Sequence, residues 1–280
     1  MKRVAAVTIA LGLLAGAPAR GAAGSLSAAE IVARNEAARG GLEAWRQVET
    51  MVWIGHVESA RAPAPRMPFE LDQKRPNRTR LQIDAMGERA YRVFDGARGF
   101  KVRSVQGRPQ VQPYSPQELL YARAGHGIDG PLIDSAAKGT TVTLEGEDEV
   151  EGRRAHHLKV HLAAGGAEEV WVDAETFLDV RYDRFADGPG GATRRVSVRY
   201  GDWRTVDGLK LPFLIETGGA PGTTPDRMRL ERVMVNARLE DTRFATPAGP
   251  RPSGDRARMR IALPSGAPTG AGAPRGATSR

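Results

Sequence analysis

The chain has 280 residues, a formal net charge of +8 and no cysteine. The length allows one large domain or two small ones, and the lack of cysteine excludes disulfides and a lipid attached to an N-terminal Cys. The charge lies at the two ends, and residues 25–246 are close to neutral. A near-neutral body argues against nucleic acid as a partner.

The first 23 residues have the pattern of a secretory signal peptide. Lys2 and Arg3 precede a short apolar run, and small-residue cleavage patterns end at Ala19 and at Ala23. The apolar run is too short to cross a bilayer comfortably. We therefore expect an exported protein, cleaved after residue 19 or 23.

The body begins with helix signals. In "SLSAAEIVARNEAARGG", Ser27 and Glu30 form a capping box, and Gly40 and Gly41 end the helix. The following "LEAWRQVET" predicts a second, short helical piece.

About a dozen extended segments come next, most of them separated by Gly-rich or Asp-Gly turns, which predicts a meandering antiparallel sheet. A sheet of this size curls instead of staying flat. The predicted strands are 48–58, 78–84, 89–95, 99–105, 141–147, 155–163, 168–174, 177–185, 193–203, 209–217 and 227–239.

Two helical stretches interrupt the strands. In "SPQELLYARAG", Ser115 and Glu118 form another capping box around Pro116, and "GPLIDSAAKG" is a short apolar turn or helix. The order predicts a mainly β (α+β) fold. Its strongly curved antiparallel sheet forms an unclosed half-barrel, with an N-terminal helix and a helical lid over the concave face.

Strict alternation in "EEVWVDAETFLDVRYDR" predicts a half-buried hairpin whose apolar side faces the concave surface. The same argument extends to the later strands. The predicted apolar lining is Val170, Val172, Leu178, Val180, Tyr182, Val196, Val198, Tyr200, Leu211, Phe213 and Ile215, and the predicted lid residues are Leu119 and Leu120. A filled core with no cavity is the alternative for each of them.

The motifs "FDGARGFKV", "EVWVDAETFLDVRYDR" and "YGDWRTVDGLKLPFLIE" resemble the LolA-like superfamily of periplasmic outer-membrane lipoprotein-sorting proteins, over roughly residues 27–240. The resemblance implies an unclosed barrel whose helical lid covers a cavity for acyl chains. It also implies acyl chains of lipoproteins or other lipids as ligands, transient membrane-protein partners and a monomeric protein.

No catalytic, cofactor or metal site is predicted. Ser135 and Lys138 match S-x-x-K without its partner motifs, so the match is attributed to chance. His157 and His161 share a strand face but lie too far apart for one ion, and with His156 they are interpreted as surface residues.

The sequence therefore predicts three segments: a signal peptide at 1–23, a LolA-like lipid-binding domain at 24–246, and a disordered basic tail at 247–280. The predicted function is a periplasmic binder or carrier of lipidated or hydrophobic ligands in outer-membrane lipoprotein sorting, and not an enzyme. The alternative is an envelope lipid-sensing or protein-interaction module on the same fold, without carrier activity.

Overall fold

The structure is a computed structural model that describes residues 26–245, except 61, 63, 106–107, 125–126, 164, 188–192 and 219–223. The predicted signal peptide and the predicted tail lie outside the described residues. Within that part of the chain, no helix is both long and apolar enough to cross a membrane.

The helices begin where the sequence predicts. Helix α1 is Ala28–Ala38, α2 is Leu42–Arg46 and α3 is Pro116–Ala124. The capping box of α1 is confirmed, because the Ser27 backbone N–H donates to the Glu30 carboxylate at 2.8 Å and the Glu30 N–H donates to Ser27 Oγ at 3.3 Å. An equivalent pair of bonds joins Ser115 and Glu118 ahead of α3.

Thirteen strands form one antiparallel sheet in the order β6-β5-β4-β3-β2-β1-β13-β12-β11-β10-β9-β8-β7. Among the described residues β6 and β7 are unpaired edges, so the predicted unclosed half-barrel is confirmed. The strands are β1 Thr50–Glu58, β2 Met67–Lys74, β3 Arg78–Ala85, β4 Glu88–Phe94, β5 Gly99–Val105, β6 Arg108–Pro113, β7 Thr141–Val150, β8 Arg153–His161, β9 Ala167–Asp173, β10 Asp179–Asp187, β11 Thr193–Val206, β12 Leu209–Gly218 and β13 Asp226–Val235.

Two of these strands, β2 and β6, were missed in the sequence because both contain proline. Pro cannot donate a backbone hydrogen bond and argues against a strand. In β2 the buried Met67 and Phe69 flank the exposed Pro68, so the period-2 pattern is present. Strand β6 contains Pro109 and Pro113 at a sheet edge, which is where proline is tolerated.

The core lies mostly on one face of the sheet. We call it the inner face, because α1, α2 and residues 127–139 supply apolar side chains to its two large clusters. A small third cluster of Val150, Ala155, Trp171 and Val180 lies on the outer face. There the Trp171 indole N–H donates to Asp148 at 2.7 Å.

A short 3-10 helix, Asp241–Phe244, closes the described chain against β2 and β3. Phe244 is buried, and the Arg243 guanidinium contacts the buried carboxylate of Asp72 at 2.6 Å. Burial raises the pKa of Asp72, although Arg243 opposes that shift. The residues that lead out of the sheet are thus held by the buried Phe244 side chain and by ion pairs of Asp241 and Arg243 with β2 and β3.

We expect Phe244→Ala to lower the free energy of unfolding by about 3 to 4 kcal/mol, because it removes a fully buried aromatic side chain. Leu120→Ala is the control, since this side chain is 50% exposed and its loss is expected to cost less than about 0.5 kcal/mol. Urea unfolding of both variants measures the difference. Equal losses would contradict the docking of the 3-10 helix.

Candidate functional site

One half of the inner face, on β8 to β11, is filled. Leu158, Val170, Tyr182 and Val198 are successive cross-strand partners in one row, and all four are buried. Helix α1 covers the row with Ile31 and its neighbour Val32, and Leu132 joins the same cluster. This half therefore behaves as a conventional core.

The other half of the inner face keeps accessible apolar surface. Trp53, Leu71 and Leu81 are successive partners across β1, β2 and β3, and Ile83 lies two residues further along β3. All four are only partly buried. They pack against a buried cluster that includes Phe69. This row of side chains on β1 to β3 is the accessible apolar surface of the site.

Residues 127–139 cover the centre of the inner face. Ile128 and Ile133 pack in the buried cluster that includes Phe69, which we call the central cluster. Leu132 packs in the filled half. Lys138 stabilises the turn conformation of this segment. Its Nζ donates to Asp129 Oδ1 and Gly130 O at 2.6 Å and to Ile133 O at 2.7 Å. Burial lowers the pKa of Lys138, and the Asp129 carboxylate opposes that shift.

Two arginines tie this covering segment to the rest of the fold. Arg75 Nη2 lies 2.8 Å from the buried Asp129 Oδ2. Arg39 Nη1 donates to Asp129 O at 3.0 Å and to Asp179 Oδ2 at 3.2 Å, and its guanidinium lies over the Trp45 ring. Burial raises the pKa of Asp179, and Arg39 opposes the shift. Arg39 thus joins the end of α1 to the covering segment and to β10, and Arg75 joins the covering segment to the turn between β2 and β3.

A recess of about 270 Å³ opens beside this network. Its cations are already paired, because Arg46 forms two bonds of 2.9 Å with Asp134 and both Arg75 and Lys138 contact Asp129. The recess is therefore bordered by ion pairs that stabilise the covering segment. Its lining is Trp45, Arg46, Arg75, Asp129, Ile133, Asp134, Ala137 and Lys138.

The predicted lining residues are not all in one place. Leu211 and Phe213 are buried in the central cluster. Val196 is buried and Leu178 is half-buried, and neither belongs to a cluster. Six further predicted residues lie in the filled half or pack against it: Val170, Val172, Tyr182, Val198, Tyr200 and Ile215. Their role as a ligand lining stays a prediction.

Val180 lies on the outer face, which corrects the strict alternation predicted for β10. Asp179 pairs with Val172 and Arg181 pairs with Trp171, so the β10 strand carries one extra residue at this point. The bulge places Val180 against Trp171 and turns Asp179 inward to Arg39. A bulge depends on the neighbouring strand, so no periodic pattern within β10 could show it.

The predicted lid pair, Leu119 and Leu120, lies on α3, and its role as a lid stays a prediction. Leu120 is half exposed, and neither leucine belongs to a buried cluster. Helix α3 is attached to the sheet by charge, because Glu118 contacts Lys101 on β5 and Arg92 on β4, each at 2.9 Å. The apolar cover is the stretch around "PLID", whose hydrophobic run was visible in the sequence.

The histidines of β8 differ from one another. His161 is exposed, as predicted, but His156 is buried and lies 3.3 Å from Glu147. His157 stacks on Trp171 with ring centroids 4.4 Å apart. No group of three or more metal-ligating side chains occurs in the part of the chain that the structure describes.

No protein-family model and no curated protein matches this chain. Solved structures do match. A LolA superfamily protein from Nitrosomonas europaea has a TM-score of 0.50 at 12% identity, covering 79% of this chain and 99% of that one. A domain described as an outer membrane lipoprotein-sorting protein, from Vibrio parahaemolyticus, has a TM-score of 0.50 at 10% identity, covering 77% and 94%. The chain therefore has the LolA superfamily fold.

We expect Lys138→Met to lower the free energy of unfolding by about 3 kcal/mol, because it leaves Asp129 and two backbone carbonyls short of a donor. Arg46→Met is the matched control, since it removes a largely exposed ion pair and is expected to cost much less. Urea unfolding gives both values. Hydrogen exchange should accelerate in residues 127–139 of the Lys138 variant only, and unchanged exchange there would contradict the role given to Lys138.

Proposed function

We propose that this protein is a periplasmic binder or carrier of lipidated or hydrophobic ligands, with a place in outer-membrane lipoprotein sorting. The observation that carries the proposal is the accessible apolar row on the inner face, made by Trp53, Leu71, Leu81 and Ile83. A core evolved only for stability has no need to leave such a row partly exposed. The LolA superfamily fold supports the same proposal.

The energetics of an acyl chain fit such a surface. Each CH₂ group removed from water contributes about 0.8 kcal/mol, so a long chain gains on the order of 10 kcal/mol in apolar surroundings. A carrier must offer that gain and still release its ligand. A half-covered sheet meets both needs, because the ligand enters beside the covering segment without unfolding the filled half.

We propose that the ligand surface lies on β1 to β3, next to the covering segment 127–139. There Ile128 and Ile133 already pack on the central cluster that supports the row. A chain lying on the row would extend this apolar layer. Acyl chains of lipoproteins or other lipids are the ligand class, and transient membrane-protein partners would deliver and receive them.

The test is a titration with an apolar fluorescent probe, N-phenylnaphthylamine, followed by displacement with a fatty acyl compound. Wild-type protein should bind about one probe molecule. Leu81→Gln should weaken binding about tenfold, because it places a polar group in the apolar row. Leu214→Gln is the control: Leu214 is also partly buried, but it alternates with the inward-facing Phe213 and Ile215 on β12.

Circular dichroism and urea unfolding confirm that both variants are folded before binding is compared. Equal weakening by the two substitutions would contradict the placement of the site on β1 to β3. Wild-type protein that binds neither the probe nor an acyl compound would overturn the proposed function itself.

A further inference from the structure

Two of the buried polar atoms that have no hydrogen-bond partner among the described residues lie on the inner face of β1 and β2. They are the indole nitrogen Nε1 of Trp53 and the amide oxygen Oε1 of Gln73. Both atoms have almost no accessible surface, although each side chain is partly exposed elsewhere, so a ligand contacts them only after the two side chains turn toward the exposed part of the row. Buried polar atoms are nearly always paired in folded proteins, so two orphans in one region indicate that something else pairs with them.

The two side chains are neighbours on the same face. Trp53 pairs across the strands with Leu71, and Gln73 follows two residues later on β2. Residues in this diagonal relation are about 7 to 8 Å apart at their backbones, within reach of long side chains. Gln73 Nε2 donates to Gly127 O at 3.1 Å, which assigns the amide orientation and leaves Oε1 as the acceptor without a partner.

The unsatisfied pair therefore consists of one donor and one acceptor. A secondary amide complements both atoms, since its carbonyl oxygen accepts from Trp53 and its N–H donates to Gln73. An ester accepts but has no hydrogen to donate, so Gln73 Oε1 would remain unpaired. An ionised carboxylate also only accepts, and it would bring a negative charge toward the Gln73 oxygen.

We propose that Trp53 and Gln73 recognise the secondary amide of an N-acyl ligand. The acyl chain lies along the apolar row, in which Leu71 is the cross-strand partner of Trp53 and Leu81 is the cross-strand partner of Leu71. The inference rests on the proposed function, because it names the ligand class of the same surface. It makes the site selective for an amide-linked chain over an ester-linked or free fatty acid.

The experiment measures displacement of N-phenylnaphthylamine from the full chain by N-methyldodecanamide, methyl dodecanoate and dodecanoate. Wild-type protein should bind the amide about tenfold more tightly than the ester, the size of one buried hydrogen bond. Trp53→Phe should weaken both amide and ester, because each loses the donor to its carbonyl. A peptide acylated at its amino terminus shows whether a polypeptide attached to the amide tightens binding further.

Two variants at Gln73 separate recognition from structure. Gln73→Leu removes the acceptor and should reduce the preference for the amide to about twofold or less. Gln73→Glu loses the same bond to Gly127 but keeps an acceptor oxygen, so it should retain the preference. A loss of preference in both variants would mean that the bond to Gly127 matters and that Oε1 does not.

Equal binding of amide and ester by wild-type protein would overturn this inference while leaving the proposed apolar site intact. Failure of every compound, including the fluorescent probe, would overturn the proposed function as well. Equal binding of the acylated peptide and the small amide would support a free N-acyl amide as ligand, and tighter binding of the peptide would support a lipidated polypeptide.

Discussion

The buried carboxylate of Asp129 is the group on which the rest of the inner face depends. It pairs with Lys138 from its own segment and with Arg75 from the sheet, and its backbone carbonyl accepts a bond from Arg39. A carboxylate in such surroundings is stable only while its partners are in place. The covering segment, the helices and the sheet are therefore coupled, and Ile133 packs in the core beside this polar network.

This coupling divides the inner face into two parts with different roles. Helix α1 and Leu132 fill the half on β8 to β11, so that half supplies stability. The half on β1 to β3 keeps partly exposed apolar surface and two unpaired polar atoms, on Trp53 and Gln73. The proposed ligand site lies in the second half, because a ligand would bind there without displacing core side chains. A fold shared at 10 to 12% identity does not by itself specify this division.

An unclosed sheet also leaves two edges that could pair with other chains. Strand β6 is short and contains Pro109 and Pro113, which lack the backbone donors needed for pairing. Strand β7 is longer, and its second half contains several carboxylates, including Glu147 and Glu149, together with a bulge at Gly146. Proline in a short edge strand, and charges together with a bulge in a longer one, are recognised ways of protecting a sheet edge. The half-barrel can therefore remain open without pairing with itself or with a second copy.

Local signals in the sequence were enough to predict the helix starts at Ser27 and Ser115, most of the strands and the unclosed antiparallel sheet, because capping boxes, Gly turns and period-2 patterns act over a few residues. Tertiary structure decided the rest. The bulge that turns Val180 outward depends on the register of the neighbouring strand. The position of residues 127–139 over the inner face depends on segments that the sheet brings together, and so does the diagonal placement of Trp53 and Gln73 on β1 and β2. A single sequence carries the period of each strand, but contacts between distant segments arise only when the whole sheet has folded.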